Sequence, residues 1–183
     1  MALEEIATIN QGVLYDKIDY ASGSGSYNFF GNTVASSGFE TTNLVTNNEP
    51  NTLKFVVLAV ELGAELGGGG VPENINNVWQ YTYVQVQQPA FSNVVLRLPA
   101  RLLSARVAVQ GFDNRATGAT RFGVAPYSNG EVYGLLREIT LLKSQRFAGQ
   151  IVSDKNAASI QLTENLQITL ALHGREGDLI PVQ

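Results

Sequence analysis

His173 is the only histidine among the 183 residues, and the chain has no cysteine. Catalysis needs a nucleophile, or an acid or base tuned by a partner. His173 could join Asp178 and a distant serine in a Ser-His-Asp arrangement, but no Gly-x-Ser-x-Gly elbow marks such a serine. The histidine ends the last strand-like segment on its polar side, which is typical of a solvent-facing residue. We therefore expect no catalytic residues and no enzyme activity.

Glu61 and Glu65 lie four residues apart in one strand-like segment, so their side chains share a face. Paired carboxylates hydrolyse glycosidic bonds in glycosidases, although two acids at one strand end are usually solvated charges. Because there is a single histidine, a metal ion could be offered only carboxylate oxygens, and no EF-hand-like spacing appears. We expect no metal site and no cofactor; a loop-bound calcium ion is the alternative left open.

Trp79, Tyr81 and Tyr83 alternate with Gln80 and Thr82, which predicts one strand with its aromatic rings on one face. Such a row could stack against sugar rings, and this makes a carbohydrate-binding β-sandwich the alternative function. The mid-strand position of the rings favours the other interpretation, in which they belong to the core.

Four glycines at 67–70 stand between a long apolar segment and Val71-Pro72. They resemble a phosphate-binding loop only in composition, because no Gly-Lys-Ser/Thr follows and no helix is expected to start there. This stretch therefore predicts a flexible loop rather than a nucleotide site.

The composition predicts a largely neutral, polar surface. Charged residues make up 15% of the chain, against about 25% in typical domains. Interface cores are depleted in charge, so this favours a protein whose surface meets copies of itself. The net charge is −4 and the basic residues are scattered singly, so direct nucleic-acid binding is not expected. No signal-peptide pattern is present, and the longest apolar run, Phe55 to Val60, is too short to span a bilayer.

Alternation with a period of two is the dominant pattern along the chain. It is clearest where Leu166, Ile168, Leu170 and Leu172 point one way and their neighbours the other. Turn signals rich in Ser, Gly and Asn separate such segments. Strands are predicted at 13–20, 26–30, 53–62, 79–86, 94–98, 102–109, 120–124, 132–136, 139–142, 146–153, 159–163 and 166–173. Many short strands with this punctuation predict an all-β fold, a single jelly-roll β-barrel or sandwich.

The first residues are predicted to form a short arm ahead of that domain. Leu3, Ile6 and Ile9 recur with a helix-like spacing, which fits either an amphipathic arm or a frayed tail. We find no linker and no internal repeat that would divide the rest of the chain. The predicted organisation is therefore an N-terminal arm at 1–11 and one jelly-roll domain at 12–183.

Four stretches of the sequence carry a resemblance to a known family. They are GVLYDKIDYASGSGSYNFFG, TTNL followed by LKFVVLAVEL, REITLLKSQRFAGQIVSD, and the closing LQITLALHGREGDLIPVQ. Together they resemble the small single-jelly-roll major capsid proteins of tailless icosahedral bacteriophages that contain an internal membrane. The resemblance lies in the order of strands and turns, and it does not extend to 67–77 or 111–130.

The resemblance implies a structural capsid protein that assembles with copies of itself, and with a second capsid protein, into an icosahedral shell. Such a protein is made in the host cytoplasm and resides in the virion, where the resemblance also implies contact with the internal viral membrane. In these proteins an arm leads into a barrel that stands upright in the capsid. The residues expected at subunit contacts are Leu3, Ile6, Ile9, Gly69, Val71 and Pro72.

Overall fold

The computed structural model describes residues 5–6, 10–21, 25–66, 72–89, 92–103, 109–114, 119–124, 132–153, 160, 162, 165–177 and 179–180 of the chain. The helices are α1 (Val34–Ser37), α2 (Pro72–Tyr81) and α3 (Ala100–Leu103). The strands are β1 (Glu5–Ile6), β2 (Asn10–Tyr20), β3 (Ser26–Phe29), β4 (Lys54–Leu66), β5 (Thr82–Gln87), β6 (Val94–Pro99), β7 (Val109–Asn114), β8 (Ala119–Val124), β9 (Tyr133–Leu142), β10 (Ala148–Ser153), β11 (Leu166–Gly177) and β12 (Leu179–Ile180).

Eight of these strands form two four-stranded antiparallel sheets. Sheet I has the order β2-β11-β4-β9 and sheet II the order β3-β10-β5-β6. The pairs are nested along the chain: β2 pairs with β11, β3 with β10, β4 with β9, and β5 with β6. Two short pairs, β1 with β12 and β7 with β8, stand apart from these sheets. The predicted all-β fold is confirmed as a two-sheet, sandwich-like architecture.

Alternate residues of both sheets point into one hydrophobic core. On β11, Leu166, Ile168, Leu170 and Leu172 are all buried, as their alternation predicts. The two sheets approach closely at Gly149 of β10, where an added methyl group would lie 2.8 Å from Cδ2 of Leu170. Burial of this apolar surface is the main favourable term in folding.

The segment between β3 and β4 closes the edge of sheet I at β2. The main-chain N–H of Lys17 donates to the carbonyl of Thr41. The side chain of Asn43 accepts the N–H of Tyr15 and donates to the carbonyl of Val13. The outer edge of β2 is therefore hydrogen-bonded to the protein's own chain, which prevents it from pairing with another molecule.

Asp16 is buried on the inner side of β2. Its carboxylate accepts the main-chain N–H of Phe30 and the side-chain amide of Asn32. Phe30 has a φ of +68°, a left-handed conformation that a bulky residue seldom adopts, so the Asp16 hydrogen bond fixes a demanding turn after β3. Burial raises the pKa of Asp16 above its ordinary value, and the hydrogen bonds oppose that rise.

The predicted strand through Trp79 and Tyr81 is wrong, because α2 occupies both positions. Pro72 stands at the first position of α2, where its fixed φ and missing N–H suit a helix start. Ile75, Val78 and Trp79 recur every three or four residues and are buried, which is the pattern of a helix packed on a core. A helix therefore begins directly after the glycine-rich stretch, contrary to expectation.

Two other strand predictions need correction near the middle of the chain. The predicted strand at 102–109 is wrong at its start, because the first two residues lie in α3; 104–108 fall outside the described residues. The segments 132–136 and 139–142 were expected as separate strands but form the single strand β9. In β9, continuous pairing to β4 resumes after an irregularity, so the two segments belong to one element.

The last two predicted strands also differ from the structure. Ile160 and Leu162, the described residues of the predicted strand at 159–163, do not lie in a strand. The final strand does not end at His173 but continues to Gly177. It continues because β2 pairs with it as far as Glu176 and β4 as far as Gly177, so both sides of the strand are paired beyond His173.

The N-terminal arm is partly described. Glu5–Ile6 is extended and pairs antiparallel with Leu179–Ile180, so a helical arm is not what forms at these two residues. Strand β2 begins at Asn10, inside the range predicted for the arm. The two ends of the chain therefore meet in a short ladder.

Candidate functional site

On the outer face of sheet I, basic and acidic side chains pair between adjacent strands and also across an intervening strand, since β11 lies between β2 and β4. Nε2 of His173 on β11 lies 2.9 Å from Oε2 of Glu61 on β4. Nζ of Lys17 on β2 lies 3.1 Å from both carboxylate oxygens of Glu65. All four side chains are partly exposed, so each pair contributes only about 0–1 kcal/mol to stability.

The two carboxylates predicted to share a face, Glu61 and Glu65, take part in different pairs. Glu61 and Glu65 do share that face, but each binds a basic side chain of a different strand. A shallow groove of about 270 Å³ lies between them, lined partly by Gly63, Thr169 and Ala171. Within the described part of the chain, His173 has Glu61 as its side-chain partner and no serine. Asp178 lies outside the described residues.

A ladder of side-chain hydrogen bonds crosses the outer face of sheet II. Nη2 of Arg97 on β6 donates to Oε1 of Gln85 on β5 at 3.0 Å. Gln85 in turn donates to Gln150 on β10 at 2.6 Å, and Gln150 donates to Asn28 on β3 at 2.8 Å. The four residues lie directly opposite one another across the sheet. This face is thus the neutral, polar kind of surface that the composition predicts.

In the part of the chain that the structure describes, no strand joins the edge strands β6 and β9 on one side of the sandwich. A groove of about 520 Å³ runs between them, and its lining includes Val95, Leu96, Leu98, Tyr133, Leu135 and Ile139. Leu136 stands at the rim with its side chain fully exposed, and Val95 is 40% exposed. No described residue pairs with the outer edge of either strand. We call this surface the β6/β9 groove.

A bulge in β9 explains why Leu136 projects from the sheet. Gly134 pairs with Ala59 and Ile139 pairs with Val57. Four residues of β9 therefore stand opposite one residue of β4, so they leave the ladder. The bulge lifts Leu136 away from the core and into solvent.

Few of the residues predicted at subunit contacts can be placed. Ile6 lies in β1 opposite Leu179, and Pro72 begins α2. The others lie outside the described residues: Leu3, Ile9, Gly69 and Val71. Contacts of the arm and of the glycine-rich loop with another subunit thus stay predictions.

The aromatic row does not exist as predicted. Trp79 and Tyr81 lie on α2, whereas Tyr83 lies on β5 with Arg97 over its ring at 5.1 Å. Trp79 is only 5% exposed, which confirms the interpretation that it belongs to the core. A platform for sugars needs neighbouring exposed ring faces, so these three residues no longer support one.

Sequence reasoning missed the residues of the β6/β9 groove. A signal was present, because Val94-Val95 and Leu135-Leu136 are adjacent apolar pairs. In a strand, adjacent residues point to opposite faces, so one member of each pair must lie outside the core. Such pairs at a sheet edge indicate an apolar surface that faces solvent or a partner.

The described residues contain no group of three or more His, Cys, Asp or Glu side chains placed to hold a metal ion. None of the described helices is long and apolar enough to cross a membrane. The chain matches no protein-family model, no curated protein and no solved structure.

Proposed function

We propose that this protein is a structural subunit that assembles with copies of itself, and with a second capsid protein, into an icosahedral viral shell. The observation that carries the proposal is the β6/β9 groove, an apolar surface beside two strand edges with which no described residue pairs. Exposed apolar patches and free strand edges promote association unless they are covered. An assembly subunit uses both as contacts with its neighbours.

The nested strand pairing supports the finer fold assignment, a jelly roll. Counted along the chain, the eight strands of the two sheets pair first with last, second with seventh, third with sixth and fourth with fifth. That order arises when one long hairpin is folded over into two sheets, which gives the paired Greek keys of a jelly roll. Viral capsid domains and lectins both use this architecture. The fold therefore does not distinguish a shell subunit from a lectin, and the surfaces of the protein have to do so.

The surfaces favour the shell subunit over the lectin. Trp79 is buried rather than available for stacking, while the outer face of sheet II is a ladder of amides with the single charge of Arg97 at one end. Neutral polar faces can meet several different neighbours without the repulsion that like charges would bring. The location in the virion follows from this proposal.

Negative-stain electron microscopy and mass photometry of the purified protein test the proposal. We expect particles, sheets or specific oligomers whose fraction rises with protein concentration. A protein that stays monomeric at high concentration, both alone and with the other structural proteins of its genome, would contradict the proposal.

A further inference from the structure

A closed shell or ring needs contacts between two different surfaces of the same subunit, because contacts between identical surfaces stop at a dimer. The β6/β9 groove supplies one apolar surface. A second one must project from the subunit and fit that groove. The structure offers such a projection at the opposite edge of sheet I.

The projection is Phe39 with its neighbour Glu40. Phe39 is 71% exposed and follows Gly38, whose φ of +76° ends α1. The hydroxyl of Tyr15 donates to the carbonyl of Phe39, and the N–H of Thr41 donates to the carbonyl of Gly38. The backbone is therefore held in place on β2 while the aromatic ring stands in solvent. The backbone at Phe39 therefore loses little further conformational freedom on binding.

The projection and the groove lie on opposite edges of sheet I, offset from each other along the strand direction. One row across the sheet joins Val13, His173, Ala59 and Gly134 in register. Tyr15, which holds Phe39, is two residues past that row on β2, and the exposed Leu136 is two residues past it on β9. Because β2 and β9 run in opposite directions, Tyr15 and Leu136 lie on opposite sides of the row. A neighbouring copy must therefore be shifted along the strand direction as well as along the row to bring its Phe39 to this groove.

Charge also favours a contact between unlike surfaces. Glu40, beside Phe39, and Arg137, beside Leu136, are both exposed, and neither forms an ion pair within the part of the chain that the structure describes. Joining projection to groove places this acid near this base. Joining two grooves would instead bring together two Arg137 side chains, and the nearby Glu138 is already 3.7 Å from Arg175.

We propose that the subunits associate head to tail, with Phe39 of one copy seated in the β6/β9 groove of the next and Glu40 of the first paired with Arg137 of the second. This inference rests on the proposed function, self-assembly, and names the surfaces that perform it. The occupant of the groove is a second copy of this chain.

Two single variants and their mixture test the head-to-tail contact. Phe39→Asp removes the projection and Leu136→Asp spoils the groove, and both positions are exposed enough for the fold to survive, which circular dichroism checks. Each variant alone should need at least tenfold more protein to associate. An equimolar mixture should form a one-to-one heterodimer, because one intact projection and one intact groove remain; native mass spectrometry with one variant isotope-labelled measures it. Ser144→Asp, at the exposed turn after β9, is the control and should associate like the wild type.

Charge reversal provides the second measurement. Glu40→Arg and Arg137→Glu should each weaken association at least tenfold, and the chain that carries both changes should recover it. The inference is overturned, with the proposed function intact, if the wild type assembles but the variants assemble equally well, or if the mixture gives no heterodimer. It is also overturned if Leu136→Asp lowers the stability of the monomer without changing association, since the groove is then filled by its own chain. A wild type that never associates overturns the function and the inference together.

Discussion

Gly174 of β11 lies so close to the main-chain carbonyl of Val56 on β4 that a methyl group on Gly174 would collide with it. The ring of Phe55 closes the same space, with Cε1 3.0 Å from the position of such a methyl carbon. The register between β11 and β4 shifts between His173 and Gly174, and glycine inside a strand often marks such a shift or a close approach of another backbone. This position therefore allows β11 to continue past the shift towards Gly177.

Gly174→Ala should destabilise the protein strongly, because the added methyl group meets backbone rather than a movable side chain. We expect a loss of at least about 2 kcal/mol in the free energy of unfolding, measured by urea denaturation followed by circular dichroism. Gly31→Ala is the matched control, since nothing lies within 4 Å of its added methyl group, and it should change stability by less than about 0.5 kcal/mol. Equal effects of the two substitutions would show that the contact with Val56 is not what requires glycine.

Asp16 should make stability depend on pH in the acid range. Because burial raises its pKa above the ordinary value of 3.8, the folded protein keeps this proton to a higher pH than the unfolded chain does. Its contribution to stability is therefore fully present below pH 3.8 and is lost as the pH rises through the raised pKa.

Asp16→Asn removes this titration, so the stability of the wild type relative to the variant should fall as the pH rises above 3.8. Urea unfolding of both proteins between about pH 3 and about pH 7 measures the difference. If the difference in the free energy of unfolding between the two proteins is the same at every pH, the raised pKa is contradicted. Such a constant difference would come from changed hydrogen bonds to Phe30 and Asn32.

Trp79→Ala should unfold or severely weaken the protein rather than remove a surface function. Trp79 is 5% exposed and packs with the core from α2, so its truncation leaves a large cavity and should cost about 3–5 kcal/mol. Gln80→Ala changes the exposed neighbour on the same helix and should cost less than about 0.5 kcal/mol. Thermal unfolding of both variants measures this, and a Trp79→Ala protein as stable as the control would contradict the burial of the ring.

The strands were predictable where the two faces of a strand meet different surroundings. Leu166 to Leu172 alternate because one face is core and the other is the outer surface of sheet I. Helix α2 was not predictable by the same reasoning, because Trp79, Tyr81 and Tyr83 imitate a strand across the junction between helix and strand. The correct signals for a helix were Pro72 and the helical spacing of Ile75, Val78 and Trp79. They are few because α2 is only ten residues long.

The candidate site depended on pairing that a local pattern does not contain. Which strands lie at the sheet edges follows from the nested pairing of residues distant in sequence, such as Leu166 with Tyr20. The sequence indicates apolar residues at Val95 and Leu136 but does not say that β6 and β9 are edge strands. The neutral surface could be predicted from composition, whereas its location as a ladder from Arg97 to Asn28 could not.

Asn43 protects the outer edge of β2, and its contribution can be measured. Its side chain satisfies the N–H of Tyr15 and the carbonyl of Val13 on the outer edge of β2. Asn43→Ala leaves both groups without this partner, and an unpaired donor or acceptor in a partly buried site costs about 1–3 kcal/mol. A loss of that size should appear in urea denaturation.

The same substitution should also increase non-specific aggregation, because a freed strand edge is a template for pairing with other molecules. Light scattering at rising temperature and thioflavin fluorescence measure this, with Asn47→Ala, an exposed asparagine of the same segment, as the control. If Asn43→Ala is destabilised but aggregates no faster than the control at matched unfolded fractions, the edge of β2 is kept from pairing by the main-chain bonds of Lys17 and Thr41 rather than by Asn43.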